Sequence, residues 1–172
     1  MAIKRKKVIL MLFVLCCCVG CDQATKEFAQ NTLRDSEPLS WCHDLFRLQY
    51  AENPGGFLSL GSKLPQPVRF WILLVLPGGF LLLITVWLMV SPPIPQGETF
   101  ALLLIVGGGV SNLFDRLYRA GKAIDFMNIG VGSVRTGIFN VADVAIMIGI
   151  GLLILSKVYD HRRKRFLQTG LL

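Results

Sequence analysis

The sequence predicts an all-α integral membrane protein with four transmembrane helices and a small extracytoplasmic β-hairpin or sheet between helices 1 and 2. Two observations indicate this. Hydrophobic residues make up 53% of the 172 residues and charged residues only 17%, whereas soluble domains carry about 25% charged residues. Four apolar segments also alternate with polar ones. A chain this short cannot bury so much apolar surface in its own core, so we expect residues 1–172 to form one membrane domain.

The four apolar segments differ in how well they match a spanning helix of about 20 residues. The first, Val8–Cys21, is short, so we expect it to continue to Phe28. The second, Phe70–Val90, is full length, and Pro77-Gly78-Gly79 in its middle predicts a kink or a loosened turn. The third and fourth segments are Thr99–Phe114 and Thr136–Ser156.

Basic clusters indicate how the chain lies in the membrane. They precede the first apolar segment and follow the last one, and they comprise Lys4, Arg5, Lys6 and Lys7, then Lys157, Arg162, Arg163, Lys164 and Arg165. The positive-inside rule places such clusters in the cytoplasm, so we expect both termini there and the connections 22–69 and 115–135 outside. No aromatic residues are interleaved with these clusters, so we expect no nucleic-acid partner.

The first outer connection contains the residues that predict the small sheet. Leu45–Tyr50 shows rough apolar and polar alternation, Asn53-Pro54-Gly55-Gly56 is a turn signal, and Phe57–Gly61 follows it. This order is typical of a hairpin or a bent sheet, which we expect to rest on the outer face of the membrane.

Polar side chains at membrane depth are costly and mark functional sites. Here they gather at the outer ends of the spans: Asp22 and Lys26 in the first, Asn112, Asp115 and Arg116 in the third, Asn140 and Asp143 in the fourth, and Asp125 just before the fourth. Spacings of three and four place the members of each group on one helix face. We therefore expect all of them to converge near the outer interface.

One interpretation of this cluster is structural. Ion pairs of Asp22 with Lys26, and of Asp115 with Arg116 or Arg119, would lock the helices together. The protein would then be a non-catalytic four-helix membrane protein, such as a transporter subunit or an assembly factor.

The other interpretation is chemical. Asp125 and Asp143 have no obvious one-to-one partner, and two carboxyl groups at low dielectric share one proton. Such a pair offers an acid beside a base and can activate water against an amide. A serine–lysine pair using Lys26 is conceivable, but no spacing favours it. With only two histidines in the chain, we expect no zinc site.

The N-terminus allows a further interpretation. Basic residues, an apolar stretch and Cys18-Val19-Gly20-Cys21 together have the layout of a lipoprotein signal peptide that is acylated at Cys21. Three more apolar spans follow, which disfavours this interpretation.

Five short blocks occur in an order and at spacings similar to those of the lipoprotein signal peptidase (signal peptidase II) family. The blocks are Asp22-Gln23-Ala24-Thr25-Lys26, Asn53-Pro54-Gly55, Gly107-Gly108 with Asn112-Leu113-Phe114-Asp115-Arg116, Ile124-Asp125-Phe126, and Phe139-Asn140-Val141-Ala142-Asp143. The resemblance covers nearly the whole chain. Two departures concern the outer cradle: Ser111 stands where the family has glycine, and Phe57 comes one place early.

The resemblance implies an aspartyl endopeptidase of the bacterial cytoplasmic (inner) membrane, with its active site near the outer face. It would remove the signal peptide from prolipoproteins by cutting before a diacylglyceryl-modified cysteine, without metal or cofactor. Asp125 and Asp143 would be catalytic. Asn53, Gly55, Asn112, Arg116 and Asn140 would hold the substrate or order the pair, with Asp22, Lys26 and Asp115 supporting. We expect a monomer surrounded by membrane lipids.

Overall fold

A computed structural model of the protein describes residues 2–168 and consists of a helical bundle with a sheet at one end. The elements are α1 (Ala2–Leu33), β1 (Leu39–Trp41), β2 (Phe46–Asn53), α2 (Gln66–Phe70), α3 (Leu76–Val90), α4 (Gln96–Tyr118), β3 (Ala123–Val131), β4 (Val134–Arg135) and α5 (Val141–Gln168). Four helical stretches are long and apolar enough to cross a membrane: Lys7–Leu33, Gln66–Val90, Gln96–Tyr118 and Val141–Arg165. The predicted fold class is confirmed, and the protein is a multi-pass membrane protein.

The central helix is α4, which packs against α1, α3 and α5. Its contact with α5 is close because glycines lie on both sides. A Cβ atom added to Gly108 of α4 would lie 2.4 Å from the carbonyl oxygen of Ala142, and one added to Gly149 of α5 would lie 2.6 Å from that of Ala101. Small residues allow helix backbones to approach this closely, as is common between membrane helices.

The second span is a continuous helix with one irregular turn. A π-helical turn, Trp71–Val75, joins α2 to α3, and the N–H of Leu76 donates to the carbonyl oxygen of Trp71. Pro77 follows directly; its ring lacks an N–H and would clash with the preceding turn of a regular α-helix. A wider turn relieves this conflict. The loosened turn predicted from Pro77-Gly78-Gly79 therefore lies just before the proline.

The sheet contains four antiparallel strands in the order β1-β2-β3-β4. Strands β3 and β4 come from the connection between α4 and α5, for which the sequence had predicted no strand. The hairpin turn lies at Cys42–Asp44, whose three residues all have positive φ. Phe57–Ser59 forms a 3-10 turn instead of a strand. The Asn53 side chain accepts the N–H of Gly55 at 2.8 Å, and such local bonds compete with strand pairing.

The ends of the spans differ from the predicted ones. The helices α1 and α4 extend beyond Phe28 and Phe114, whereas α5 begins at Val141 and not at Thr136. Before α5 the chain is extended, and Phe139 pairs with Met127 of β3. Asn140 then caps α5. Its side-chain oxygen accepts the N–H of Asp143 at 2.9 Å, while its own N–H donates to the Asp143 carboxylate at 3.2 Å. This reciprocal arrangement is a capping box.

Two apolar clusters enclose a polar layer along α1. Met11 and Val14 belong to the cluster far from the sheet, and Ala29 and Leu33 belong to the cluster beneath the sheet. Asp22 and Lys26 lie between these positions on the helix and are fully buried. The polar site therefore lies at the sheet end of the bundle, inside the protein.

Candidate active site

Lys26 is the centre of the buried charge cluster. Its Nζ lies 2.6 Å from Oδ2 of Asp22 and 2.8 Å from Oδ2 of Asp115, and it donates to Oδ1 of Asn112 at 3.0 Å. An ammonium group has three N–H donors, so every donor has an oxygen partner. The Asp22–Lys26 ion pair predicted from the sequence is confirmed.

Of the two partners that the sequence suggested for Asp115, Arg119 is confirmed and Arg116 is not, and Lys26 is an additional partner. It pairs with Lys26 of α1 and with Arg119, whose Nε is 3.3 Å from Oδ1. It does not pair with Arg116, because among residues 2–168 that arginine takes part in no ion pair.

Two uncharged residues complete the bonding of these carboxylates. The Ser111 hydroxyl donates to Asp22 at 2.7 Å, and Gln23 Nε2 donates to Asp115 at 2.9 Å and to the Ser111 hydroxyl at 3.0 Å. No role for Gln23 was predicted, and Ser111 was noted only as a departure from the family. Its place on the same helix face as Asp115, four residues away, is the signal that could have identified it.

Asp125 lies in β3, and two side-chain amides bond to its carboxylate, one from the sheet and one from the cap of α5. Asn53, at the end of β2, donates to Oδ2 at 2.9 Å, and Asn140 donates to Oδ1 at 2.6 Å from the other side. Only 2% of Asp125 is exposed. Burial raises the pKa of this carboxyl to about 6, against the opposing effect of the Asn53 hydrogen bond and with a further upward contribution from the negative charge of Asp143.

Asp143 lies in the first turn of α5 and faces the same space. Its Oδ1 accepts the side-chain N–H of Asn112 at 2.9 Å, and its Oδ2 accepts the backbone N–H of Asn140. Asn140 therefore contacts both Asp125 and Asp143, although the two aspartates are 18 residues apart in the chain. In the described part of the chain no lysine or arginine pairs with either carboxylate, as the sequence had suggested.

Arg116 fastens the turn after β2 to α4. Its Nη2 donates to the carbonyl oxygen of Gly55 at 2.6 Å, and its Nη1 donates to that of Asn112 at 3.0 Å. A Cβ atom at Gly55 would lie 2.6 Å from the carbonyl carbon of Ser59. Because backbone occupies that space, only glycine allows the turn to close here.

A cavity of about 420 Å³ joins these groups. Its wall is polar at the sheet end, formed by Asn53, Asn112, Arg116, Asp125, Asn140 and Asp143, and apolar deeper in the bundle, formed by residues such as Leu73, Phe80, Ile105, Ile146 and Ile150. The predicted residues Asp22, Lys26 and Asp115 do not line the cavity; Lys26 connects them to its polar wall through the bond to Asn112. Across residues 2–168, histidine, cysteine and acidic side chains form no group of three or more that could hold a metal ion.

Four spanning helices define a polytopic membrane protein. Two carboxyl groups on the wall of one cavity are the arrangement expected of an aspartic-type peptidase. Comparison with known proteins agrees with this class. Residues 14–159 match the family described as signal peptidase (SPase) II.

Individual relatives match over most of their length. The lipoprotein signal peptidase of Borrelia duttonii (strain Ly) is 30% identical over 165 residues, which cover 93% of this chain and 94% of the relative. That of Xylella fastidiosa (strain M12) is 32% identical over 148 residues, with 84% and 87% covered. The chain therefore belongs to the signal peptidase II family and is an aspartic-type peptidase, a hydrolase.

Solved structures show the same fold. One bacterial membrane enzyme determined by the in meso method at 2.3 Å resolution superposes with a TM-score of 0.74 at 21% identity, covering 92% of this chain and 91% of that one. A second, at 1.9 Å resolution, gives a TM-score of 0.70 at 19% identity, covering 88% and 94%.

Proposed function

We propose that this protein removes the signal peptide from diacylglyceryl-modified prolipoproteins, cutting the peptide bond before the lipid-modified cysteine. Family membership and the name of the relatives, lipoprotein signal peptidase, support the reaction. One observation carries the catalytic assignment: Asp125 and Asp143 line one cavity and both accept hydrogen bonds from Asn140.

In the proposed reaction the two aspartates share one proton and act as base and acid. The ionised carboxylate takes a proton from water as the water oxygen attacks the scissile carbonyl carbon, and the protonated carboxyl gives its proton to the carbonyl oxygen. The intermediate then collapses. The C–N bond breaks, the nitrogen takes up the proton from the first aspartate, and a hydroxyl proton returns to the second. The products are a signal peptide with a new carboxyl end and a lipid-modified cysteine with a free amino group.

The pKa of Asp125 supports this role. A value of about 6 allows the carboxyl to gain and lose a proton near neutral pH, which an ordinary exposed aspartate does not do. The same burial that raises the pKa also lowers the local dielectric, so that the charge on either carboxyl strongly affects the other.

The amides and the guanidinium on the cavity wall would hold the peptide. Asn53, Asn112, Arg116 and Asn140 present donors beside the carboxyl groups, and a peptide backbone offers carbonyl acceptors for them. Gly55 would act through its carbonyl bond to Arg116. The buried cluster of Asp22, Lys26 and Asp115 would support the site by fixing Asn112 through the Lys26 ammonium.

We also propose that both termini lie in the cytoplasm and that the sheet and the carboxyl pair lie near the outer face of the membrane. The basic clusters at both ends of the chain support this orientation. The scissile bond of a lipid-anchored precursor lies at the interface, so its acyl chains can remain in the bilayer. A single chain carries every side chain that this reaction uses, which supports a monomer.

The test is cleavage of a diacylglyceryl-modified prolipoprotein by the purified protein in detergent. Asp125→Asn and Asp143→Asn should each reduce the rate at least about 10³-fold, because an amide cannot exchange the proton. Asp35→Asn, the same change at an exposed aspartate, should keep the parent rate.

Two results would count against the proposal. If both well-folded site variants still cleave, the aspartate mechanism is wrong although the activity stands. If the folded parent cleaves neither the modified precursor nor the unmodified one, the reaction itself is wrong.

A further inference from the structure

A second cavity, of about 260 Å³, lies at the sheet end between α2 and the end of α4. Two arginines, Arg69 and Arg116, belong to its wall together with apolar residues that include Phe70, Leu73 and Leu117. Arg116 and Leu73 also line the cavity of the candidate active site. The two cavities are therefore neighbours that share one guanidinium group.

Neither arginine lies within 4.0 Å of a carboxylate oxygen in residues 2–168. Among the ion pairs of residues 2–168, none involves Arg69 or Arg116. Within the described residues, the one hydrogen bond of the Arg69 side chain goes to the carbonyl oxygen of Pro54, at 3.5 Å. Arg116 donates to two backbone carbonyls. The Nε atoms of both are buried and have no acceptor in the described part of the chain. Two guanidinium charges that belong to one cavity wall, and that form no ion pair within residues 2–168, favour an anion.

The surroundings of this cavity indicate the source of the anion. Phe70, Trp71 and Leu117 are 52%, 63% and 62% exposed, and they lie on spans whose outward surface contacts lipid in a multi-pass protein. Tryptophan at the end of a span is typical of the membrane interface, where lipid headgroups lie. An anion attached to hydrocarbon chains matches this combination of charged wall and apolar rim better than a free ion does.

We propose that the second cavity binds the phosphodiester of an anionic phospholipid headgroup between Arg69 and Arg116. The planar guanidinium fork of Arg69, which makes one long hydrogen bond to Pro54, matches two phosphate oxygens at once, while Arg116 contributes its positive charge. The volume is below the range of roughly 300–1,000 Å³ that holds a whole drug-sized ligand, so it suits the headgroup, with the acyl chains outside along Phe70 and Leu117. The bound lipid neutralises the charge of Arg116 beside the active-site cavity. Lipid binding at this second cavity is a property in addition to the proposed peptidase reaction.

Lipid binding can be measured directly by native mass spectrometry of the purified full chain released from detergent. Phosphatidylglycerol, phosphatidylcholine and inorganic phosphate are titrated separately. We expect phosphatidylglycerol to bind the parent most tightly. Arg69→Gln should weaken it at least about tenfold, which corresponds to about 1.4 kcal/mol, and Arg69→Lys should weaken it less because it keeps the charge but loses the fork.

The matched control is Arg34→Gln. It removes the same charge from an arginine that follows α1 at the sheet end and is 54% exposed, and it should change the affinity less than twofold. An equal loss in this variant would overturn the proposal, because general surface charge would then explain the binding. Inorganic phosphate binding as tightly as the lipid, with the same dependence on Arg69, would overturn the lipid as occupant.

Folding of the variants is checked by thermal unfolding without added lipid. Should Arg69→Gln fail to fold, Arg69→Lys decides the question, since unchanged phosphatidylglycerol binding in it would contradict two-oxygen recognition. No cleavage is read in this experiment, so its outcome is independent of the proposed peptidase reaction.

Discussion

Lys26 carries a charge inside the protein because three oxygen atoms surround its ammonium group. Replacing it with methionine keeps the length of the side chain but leaves Asp22 and Asp115 buried without their cation. Breaking a buried ion pair in this way typically costs about 3–5 kcal/mol. We expect Lys26→Met to lower the Tm in detergent by roughly 10 °C.

Lys63→Met is the control for that prediction, because Lys63 is exposed and no buried carboxylate depends on it. A Tm decrease no larger than that of the control would show that the buried cluster contributes little to stability.

The raised pKa of Asp125 predicts how the stability of the folded protein depends on pH. Its pKa in the folded protein is about 6, above the ordinary value of about 3.9. Between these two values the folded protein holds a proton that the unfolded chain has released, so its stability increases as the pH falls from about 7.5 to 5. Asp125→Asn lacks this contribution. Lowering the pH over that range should therefore raise the stability of the parent by about 1 kcal/mol relative to the variant.

The measurement is the Tm of both proteins at several pH values in one detergent. Titrations common to parent and variant cancel in the Tm difference. A difference that stays constant with pH would mean that Asp125 has an ordinary pKa in the folded state.

At the scale of single residues, the sequence predicts which charged side chains belong to the site better than it predicts which residues they contact. The Asp22–Lys26 pair could be predicted because both residues are on one helix, four positions apart. The second partner of Lys26, Asp115, lies on another helix, so no local spacing indicates it. The bonds of Gln23 and Ser111 to the buried carboxylates were not predicted, because uncharged side chains at membrane depth cost less than charged ones and so indicate a partner less strongly.

At the scale of helices, glycines set the distance between α4 and α5. A Cβ atom added to Gly149 would lie 2.6 Å from the carbonyl oxygen of Ala101 and 3.2 Å from the N atom of Ile105, so there is no room for a methyl group. An added Cβ atom at Gly151 would have no atom within 4 Å. Gly149→Ala should therefore push the helices apart and lower the stability by about 1–3 kcal/mol. Gly151→Ala should be neutral or stabilise α5 by up to about 1 kcal/mol.

Thermal unfolding of the two variants checks this, since both carry the same substitution in α5 at sites only two residues apart. Equal Tm values would show that the contact between α4 and α5 can relax without cost.

The existence of the four spans was predictable, but their ends were not. Hydropathy indicates where a helix can lie in lipid, whereas its first residue depends on capping and on what the preceding chain can pair with. Residues 136–139 do not belong to α5 because Phe139 pairs with Met127 of β3. Strand β3 itself was missed because its pairing with β2 joins segments that are far apart in the sequence.

At the scale of the whole molecule, an even number of spans brings both ends of the chain to one side of the membrane and the sheet to the other. Cys42 is exposed in the hairpin turn of the sheet, and the other four cysteines lie in α1. If the sheet lies outside, a membrane-impermeant maleimide should label Cys42 in intact spheroplasts. Cys42→Ser should remove most of that labelling.

Labelling of Cys42 that requires permeabilised membranes would reverse the proposed orientation. A reporter fused after the C-terminus gives an independent result, since it should be active only in the cytoplasm.

Asn140 caps α5 and contacts both carboxyl groups of the proposed pair. If these two aspartates activate water as proposed, a newly inserted chain whose last span has not yet formed its first turn would have two separate carboxyl groups and no assembled active site. Under the proposed mechanism, hydrolysis would begin only when the last helix has docked, so an incompletely assembled chain would not cleave the proteins around it.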